Sequence, residues 1–249
     1  MSVRNRGKVL VIENSDSSTL GRFKDWWGED GLDVDVVRAH RDPLPSLDDY
    51  DALVMLGGPM MPDAFEFAPW LAREREMASQ AVLDGLPTLG ICLGGQLLAQ
   101  ICGGEVTARY GQTERGSTGL SVLAAASDDP LLRGLPESVF AIENHEDAIT
   151  QLPPKAIRLM SSERYENQAF RIGQSAWGLQ FHPEADADSV VRWDREVLIS
   201  QGVDPDEVVE RARANEPASG AIWREFARRF GAVVMSAPNS ITAPKMSES

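Results

Sequence analysis

The sequence has no long apolar run, few cysteines and a deficit of positive charge. No stretch of eighteen apolar residues occurs, so no transmembrane helix is predicted. Two cysteines, Cys92 and Cys102, are too few for a disulfide framework, and this favours a reducing, cytoplasmic location. The 24 basic and 38 acidic residues leave a net charge of -14, which disfavours binding to nucleic acid.

Two further absences bear on cofactors. The chain has only three histidines, His40, His145 and His182, which are far apart in sequence, and it has no Cys-x-x-Cys pair. This spacing argues against a metal site. No Gly-x-x-x-x-Gly-Lys-Ser/Thr loop occurs either, so any ATP-dependent step is expected to belong to another protein. We therefore expect no cofactor.

Short apolar runs alternate with amphipathic stretches through the first hundred residues. Such alternation predicts right-handed βαβ units around a mostly parallel central sheet flanked by helices, an α/β fold. The predicted strands cover residues 8–12, 32–37, 52–56 and 87–91, and the predicted helices cover residues 17–27, 69–83 and 94–101.

The pattern changes after residue 105. Five short, turn-separated runs predict a small mixed or antiparallel extension of the sheet, at residues 120–123, 138–142, 157–161, 169–172 and 177–181. Helical periodicity returns over residues 186–200, 205–215 and 221–230. No internal repeat or long linker is present, so residues 1–235 are predicted to form a single domain and residues 236–249 a flexible tail.

Cys92 has the sequence context of a nucleophile. It stands in Gly90-Ile-Cys-Leu-Gly94, after a predicted strand and before a predicted helix. Glycines permit the sharp turn of a nucleophile elbow, and a helix N-terminus favours the thiolate and offers free N–H groups to an oxyanion. The N–H of Leu93 is the obvious donor. Most free cysteines are buried structural residues, and Cys102 fits that description better.

A thiol nucleophile needs a base, and His182 is the best candidate. In Gln180-Phe-His-Pro-Glu184 it ends a predicted strand, where residues two apart point to the same side. Glu184 is therefore expected to orient the ring of His182 while the other ring nitrogen faces the sulfur, as in a Cys-His-Glu triad. His40 is expected to be a surface residue.

The turn Gly57-Gly58-Pro59 follows another predicted strand and should lie beside the elbow in a parallel sheet. The N–H of Gly58 is thus a candidate second donor to an oxyanion. Taken alone, this composition is more typical of a plain β-turn.

In their order and spacing, these three motifs resemble class I (triad-type) glutamine amidotransferases, and most of all stand-alone proteins similar to the glutaminase domain of GMP synthase. The resemblance covers roughly residues 8–232. It implies a flavodoxin-like fold and a γ-glutamyl thioester on Cys92, with His182 protonating the leaving amine and Glu184 orienting His182. It also assigns the oxyanion hole to the N–H groups of Gly58 and Leu93.

The resemblance further implies a substrate site. Gln96 matches a position that contacts glutamine, and the run Asn144, His145, Glu146 and Asp147 falls where relatives hold the α-amino and α-carboxylate groups. A charged turn between strands is the alternative for that run. Where relatives carry glycine after the histidine this chain has Glu146, whose carboxylate is expected to reshape that end of the site.

Several functions stay open at this point. A glutaminase would release ammonia to a separate synthetase or synthase, whereas a self-sufficient hydrolase would cleave the γ-glutamyl bond of a modified amine. A non-catalytic regulatory protein on the same scaffold is disfavoured because Cys92, His182 and Glu184 are all present. Another chemistry on the fold, such as a cysteine peptidase, is disfavoured by the histidine motif.

Overall fold

The computed structural model describes residues 7–237, which form eleven strands and six α-helices. The strands are β1 (Lys8–Glu13), β2 (Asp33–Arg38), β3 (Ala52–Met55), β4 (Thr88–Ile91), β5 (Glu105–Thr107), β6 (Glu114–Val122), β7 (Ser138–His145), β8 (Ala148–Gln151), β9 (Ile157–Ser162), β10 (Ala169–Ile172) and β11 (Ala176–Leu179). The helices are α1 (Phe23–Glu29), α2 (Trp70–Asp84), α3 (Leu93–Ile101), α4 (Ala187–Val191), α5 (Arg195–Ser200) and α6 (Pro205–Ser236).

Nine strands form one sheet in the order β2-β1-β3-β4-β11-β10-β9-β6-β7. The strands from β2 to β11 pair in parallel, and those from β11 to β7 pair antiparallel. Strands β5 and β8 form a separate antiparallel pair. The predicted α/β fold, a mostly parallel sheet flanked by helices with an antiparallel extension, is confirmed.

The alternation of side chains along each central strand creates a core on both faces of the sheet. From β1, Val9 and Val11 pack with α1 and α6, while Leu10 and Ile12 pack with α2 and α3. The four residues of β3 and of β4 are all buried. Continuous burial of this kind is expected of parallel strands covered by helices on both sides.

Parallel pairing brings the carboxyl ends of β1, β3, β4 and β11 to the same edge of the sheet. Within three residues of these ends lie Asn14, Gly57, Cys92 and His182. Residues from four distant parts of the chain therefore meet at this edge, where α/β proteins usually bind ligands.

Several predicted boundaries were wrong. Helix α1 begins at Phe23 rather than residue 17, because residues 16 and 17 form a turn and residues 18–20 have no regular structure. The predicted helix 186–200 is divided into α4 and α5, since Asp194 caps a new helix by accepting from the N–H groups of Glu196 and Val197. The predicted strand 120–123 is the end of the longer β6.

At the C-terminus, the two predicted helices at 205–215 and 221–230 are one continuous helix, α6, which runs through Pro217. The predicted tail, residues 236–249, lies outside the described residues apart from Ser236 and Ala237. None of the described helices is both long and apolar enough to span a membrane.

Candidate active site

Cys92 occupies a strained turn between β4 and α3. Its backbone angles are φ 52° and ψ -108°, a conformation that residues other than glycine rarely adopt. Such a conformation costs about 1–3 kcal/mol and persists only where the surroundings enforce it. Cys92 is itself the N-cap of α3, so its sulfur lies at the positive end of that helix.

The neighbouring glycines enforce this turn because they allow α3 to approach the strands closely. A Cβ on Gly90 would lie 2.4 Å from the carbonyl oxygen of Gly94, and one on Gly94 would lie 2.2 Å from that of Met55. A Cβ on Gly95 would lie 2.5 Å from the carbonyl oxygen of Leu179. Each clash is with backbone, which cannot rotate away, so this packing requires glycine at all three positions.

His182 and Glu184 form a close pair just beyond β11. Nδ1 of His182 lies 2.7 Å from Oε1 of Glu184, so in the neutral ring Nδ1 carries the proton and donates a hydrogen bond to the carboxylate. Nε2 of His182 is buried and has no hydrogen-bond partner among the described residues. Burial lowers the pKa of His182, but the negative charge of Glu184 and the adjacent sulfur of Cys92 outweigh it, and the pKa lies well above its usual value.

The turn after β3 lies against both His182 and Cys92. A Cβ on Gly57 would lie 3.1 Å from Cε1 of His182 and 3.5 Å from Cβ of Cys92. On Gly58 it would lie 2.7 Å from Cδ2 of Leu93. Gly58 thus lies beside the first residue of α3, whose N–H belongs to the helix turn that lacks intrahelical acceptors.

A cavity of about 250 Å³ lies over the sulfur. It brings together most of the residues predicted for the site, although their side chains take different roles. The residues that line it are Ser17, Ser18, Gly58, Pro59, Cys92, Gln96, Arg115, Asn144, His145, Glu146, Asp147 and His182. Among the other predicted residues, Leu93 is buried behind this cavity and Glu184 lines a neighbouring one.

His145 directs its ring into a buried acidic cluster. Its Nε2 lies 3.2 Å from Oε2 of Glu114 and 3.4 Å from Oε2 of Glu143, and its Nδ1 lies 3.0 Å from the carbonyl oxygen of Asp147. Burial, followed by the charge of Glu114, raises the pKa of Glu143 well above its usual value. Burial of two carboxyl groups side by side thus favours the protonated form of Glu143.

The same three side chains are the one place in the described structure where three potential metal ligands converge. The expectation that no metal binds rested on the wide spacing of the histidines and overlooked carboxylates that the fold brings to one of them. Glu114 already accepts hydrogen bonds from Gln168 and Ser162. Hydrogen bonds from both ring nitrogens of His145 and those accepted by Glu114 hold this cluster together, and no step of the chemistry proposed below uses a metal.

Two residues of the site were missed in the sequence. Nε2 of Gln180 lies 3.9 Å from the sulfur of Cys92, and its Oε1 accepts from Gln96 at 3.3 Å. Its place in the histidine motif was the signal that could have revealed it. Arg115 pairs with Glu146 at 2.9 Å and lines the cavity, and nothing in the local sequence of β6 indicated this.

A second, larger cavity of about 610 Å³ adjoins the first on the far side of His182. Ser17, Ser18, Asn144 and His182 line both cavities. Its other walls come from the start of α1, from Ile142 of β7, and from α4 with the following Arg192 and Trp193. A molecule that extends from one cavity into the other would therefore pass both Cys92 and His182.

Comparison with known proteins identifies relatives over most of the chain. The family described as "Glutamine amidotransferase class-I" matches residues 11–190. Gamma-glutamyl peptidase 3 of Arabidopsis thaliana is 33% identical over 172 residues, which are 65% of this chain and 67% of that protein. One subunit of the glutamine-hydrolyzing GMP synthase of Sulfurisphaera tokodaii is 35% identical over 156 residues, 62% of this chain and 77% of the relative.

Among solved structures, a glutamine amidotransferase from Thermotoga maritima superposes with a TM-score of 0.82 at 28% identity. That match covers 91% of this chain and 99% of the other. A glutamine amidotransferase from Methylobacillus flagellatus superposes with a TM-score of 0.79 at 26% identity, covering 94% of this chain and 97% of the other.

Proposed function

Because the chain belongs to the class-I glutamine amidotransferase family, we propose that it hydrolyses the side-chain amide of glutamine through a γ-glutamyl thioester on Cys92. The observation that carries this proposal is the convergence of a strained cysteine at a helix N-terminus with a histidine whose Nδ1 is bound by a carboxylate at 2.7 Å. A thiolate, a proton carrier and an orienting group are what acyl transfer through cysteine requires.

In the first half of the reaction, the Cys92 sulfur attacks the amide carbon, and the carbonyl oxygen becomes an oxyanion. The N–H groups of Gly58 and Leu93 donate to that oxyanion, a contribution typically worth about 10²- to 10³-fold in rate per donor. The carbon–nitrogen bond then breaks as Nε2 of His182 donates its proton to the leaving nitrogen. Ammonia departs, and the γ-glutamyl group remains on sulfur as a thioester.

In the second half, water attacks the thioester carbon while His182 accepts one of its protons. The carbon–sulfur bond breaks, which returns the thiolate and releases glutamate. Glu184 supports both halves because it holds the His182 ring with Nε2 toward the sulfur and stabilises the imidazolium. The raised pKa of His182 supports this role, since the ring must be protonated when the amine leaves.

The released ammonia is proposed to pass to a separate enzyme that consumes it. The similarity to the GMP synthase relative supports this, since that protein is by name one subunit of a glutamine-hydrolyzing enzyme. A subunit of this kind is expected to hydrolyse glutamine slowly until its partner binds.

Glutamate release from L-glutamine by the purified chain tests the proposal, with Cys92→Ala as the inactive variant. Cys102→Ala is the matched control, because Cys102 follows the other end of α3 and is the only other cysteine. We expect the first substitution to abolish turnover and the second to preserve it. Full activity in Cys92→Ala would exclude the thioester mechanism.

The second cavity favours one alternative, a hydrolase of γ-glutamyl amides with a substituted nitrogen. A volume of about 610 Å³ beside the proton donor is far more than ammonia needs, and the similarity to a γ-glutamyl peptidase agrees with a larger leaving group. The glutamyl part would occupy the cavity over Cys92, and the amine would extend past His182 toward Trp193.

Turnover of γ-glutamyl amides with leaving groups of increasing size separates these two functions. An ammonia donor should hydrolyse glutamine best, whereas the alternative predicts a higher kcat/KM for γ-glutamyl dipeptides. In that case Trp193→Leu should lower kcat/KM for the dipeptides and leave that for glutamine unchanged. Equal effects on both substrates would exclude a leaving-group site in this cavity.

A further inference from the structure

Arg115 is the only lysine or arginine that lines the cavity over Cys92 in the described part of the chain. Its side chain is 10% exposed, and it reaches the cavity from β6, where it is paired with Asn144 of β7. A guanidinium so far from bulk solvent needs partners, since burying an unpaired charge is costly. The identity of its partners suggests its function.

Arg115 forms an ion pair with Glu146, and Gln201 holds this pair in place. Nη2 of Arg115 donates to Oε1 of Glu146 at 2.9 Å, and Nε of Arg115 donates to Oε1 of Gln201 at 3.1 Å. Gln201 closes the arrangement by donating from Nε2 to the same Glu146 oxygen at 2.8 Å. The pair is thereby fixed to the turn after α5 and cannot swing freely.

Both members of the ion pair can still bind a further group. The bonds from Arg115 to Glu146 and Gln201, together with one from Nη1 to the carbonyl oxygen of Glu114, use three of the five N–H groups of the guanidinium. Oε2 of Glu146 has no hydrogen bond to the described residues, and the Glu146 side chain is 36% exposed. One cation and one anion therefore stand side by side at the cavity wall.

This ion pair is complementary in charge to the α-amino acid end of the γ-glutamyl group, which is charged in every γ-glutamyl substrate. The α-carbon of that group carries a carboxylate and an ammonium, and two methylene groups separate it from the amide carbon that Cys92 attacks. A guanidinium binds a carboxylate with directed, charge-assisted hydrogen bonds. Since Glu146 and Asp147 also line this cavity, an incoming carboxylate needs a cation there.

We propose that Arg115 determines specificity for the free α-amino acid end of the γ-glutamyl group, binding its α-carboxylate while Glu146 binds its α-ammonium. This inference rests on the proposed function and adds Arg115 to the residues at 144–147 that the family resemblance assigned to that end. It predicts that the enzyme rejects amides that lack either α group.

The test compares L-glutamine with 4-aminobutanamide, which lacks the α-carboxylate, and with glutaramic acid, which lacks the α-ammonium. Arg115→Met should lower kcat/KM for glutamine about 30- to 100-fold, mostly through KM, and change that for 4-aminobutanamide less than about threefold. Arg115→Lys should restore part of the loss. Glu146→Gln should lower kcat/KM for glutamine and leave that for glutaramic acid nearly unchanged.

Arg158→Met is the matched control, because Arg158 is exposed on β9 and pairs with the exposed Glu166. If Arg115→Met lowers kcat/KM for both substrates equally, Arg115 is structural and the inference is wrong. Unchanged kcat/KM for glutamine would also overturn it.

Two labelling reactions separate this inference from the proposed function. Iodoacetamide carries neither α group, so its rate of reaction with Cys92 should be the same in the wild type and in Arg115→Met. The glutamine analogue 6-diazo-5-oxo-L-norleucine carries both groups and should label the variant at least about 30-fold more slowly. If this analogue labels both proteins at the same rate, only the role of Arg115 is overturned. If the wild type is not labelled and does not hydrolyse glutamine, the proposed function is overturned as well.

Discussion

The side-chain amide of Asn14 donates to the fully buried carboxyl group of Glu74 at 3.1 Å. The same amide donates to the carbonyl oxygen of Leu56 at 3.2 Å, and its oxygen accepts from Trp70 at 2.9 Å. Since an indole N–H only donates and a carbonyl only accepts, the orientation of Asn14 is determined. The first turns of α2 are thereby tied to the peptide that precedes Gly57 and Gly58.

Glu74 is expected to make stability depend on pH. Burial raises its pKa from 4.5 to about 8, so between these values the folded protein keeps a proton that the unfolded chain releases. Stability must therefore fall as pH rises through this range. Glu74→Gln removes the titratable group. The free energy of unfolding of this variant, relative to that of the wild type, should therefore increase from pH 5 to pH 8 by on the order of 4 kcal/mol.

Urea unfolding at the two pH values measures this change. Glu76→Gln, on the same helix but exposed, is the control and should show no such dependence. If Glu74→Gln differs from wild type by the same amount at both pH values, Glu74 is ionised in the folded protein and the assignment is wrong.

Gly94→Ala is expected to destabilise the protein by about 3 kcal/mol or more, because its Cβ would lie 2.2 Å from the carbonyl oxygen of Met55. Relief requires α3 to move away from β3, and this should also misplace the N–H of Leu93 and reduce activity. Gly28→Ala is the matched control: its Cβ meets nothing within 4 Å, and in α1 it should stabilise by about 0.5–1 kcal/mol. Similar unfolding curves for the two variants would show that the contact with Met55 is relieved without cost.

Glu184→Gln should change the pH profile as well as the rate. Among the interactions that raise the pKa of His182, the charge of Glu184 is the largest. Without that charge the pKa falls, and the protonated ring is lost at a lower pH. The alkaline limit of kcat/KM should thus move to lower pH, with kcat reduced about 10²- to 10⁴-fold. An alkaline limit that stays in place would show that it does not report His182.

Gln180→Leu should slow the reaction of Cys92 with iodoacetamide at pH 6 by about tenfold. The reason is that Nε2 of Gln180 is a donor 3.9 Å from the sulfur and stabilises the thiolate. Gln100→Leu is the control, since Gln100 lies at the far end of α3 and bonds to Arg75. The rate is measured by mass spectrometry of the peptide that contains Cys92. If Cys92 in Gln180→Leu is alkylated at the wild-type rate, Gln180 does not have this role.

Regular elements were predicted where one periodicity dominates a segment. The central strands, α2 and α3 lie within a few residues of their predicted positions because each buries apolar residues in a simple pattern. Prediction failed for α6, which was predicted as two helices at 205–215 and 221–230 but is one helix that runs through Pro217. The helix continues because Ala212, Ser219 and Trp223 lie on one buried face, and their packing outweighs the local cost of proline.

Local sequence determined the geometry of the groups proposed to react. Glycines around Cys92 and the two-residue spacing of His182 and Glu184 are sufficient to predict the turn and the pair, since both depend on backbone geometry over a few residues. Tertiary structure alone decided what surrounds them. Arg115 meets Glu146 and Gln201, and His145 meets Glu114, across 31 to 86 residues of chain. Such contacts arise from the order and register of the strands, which no local pattern contains.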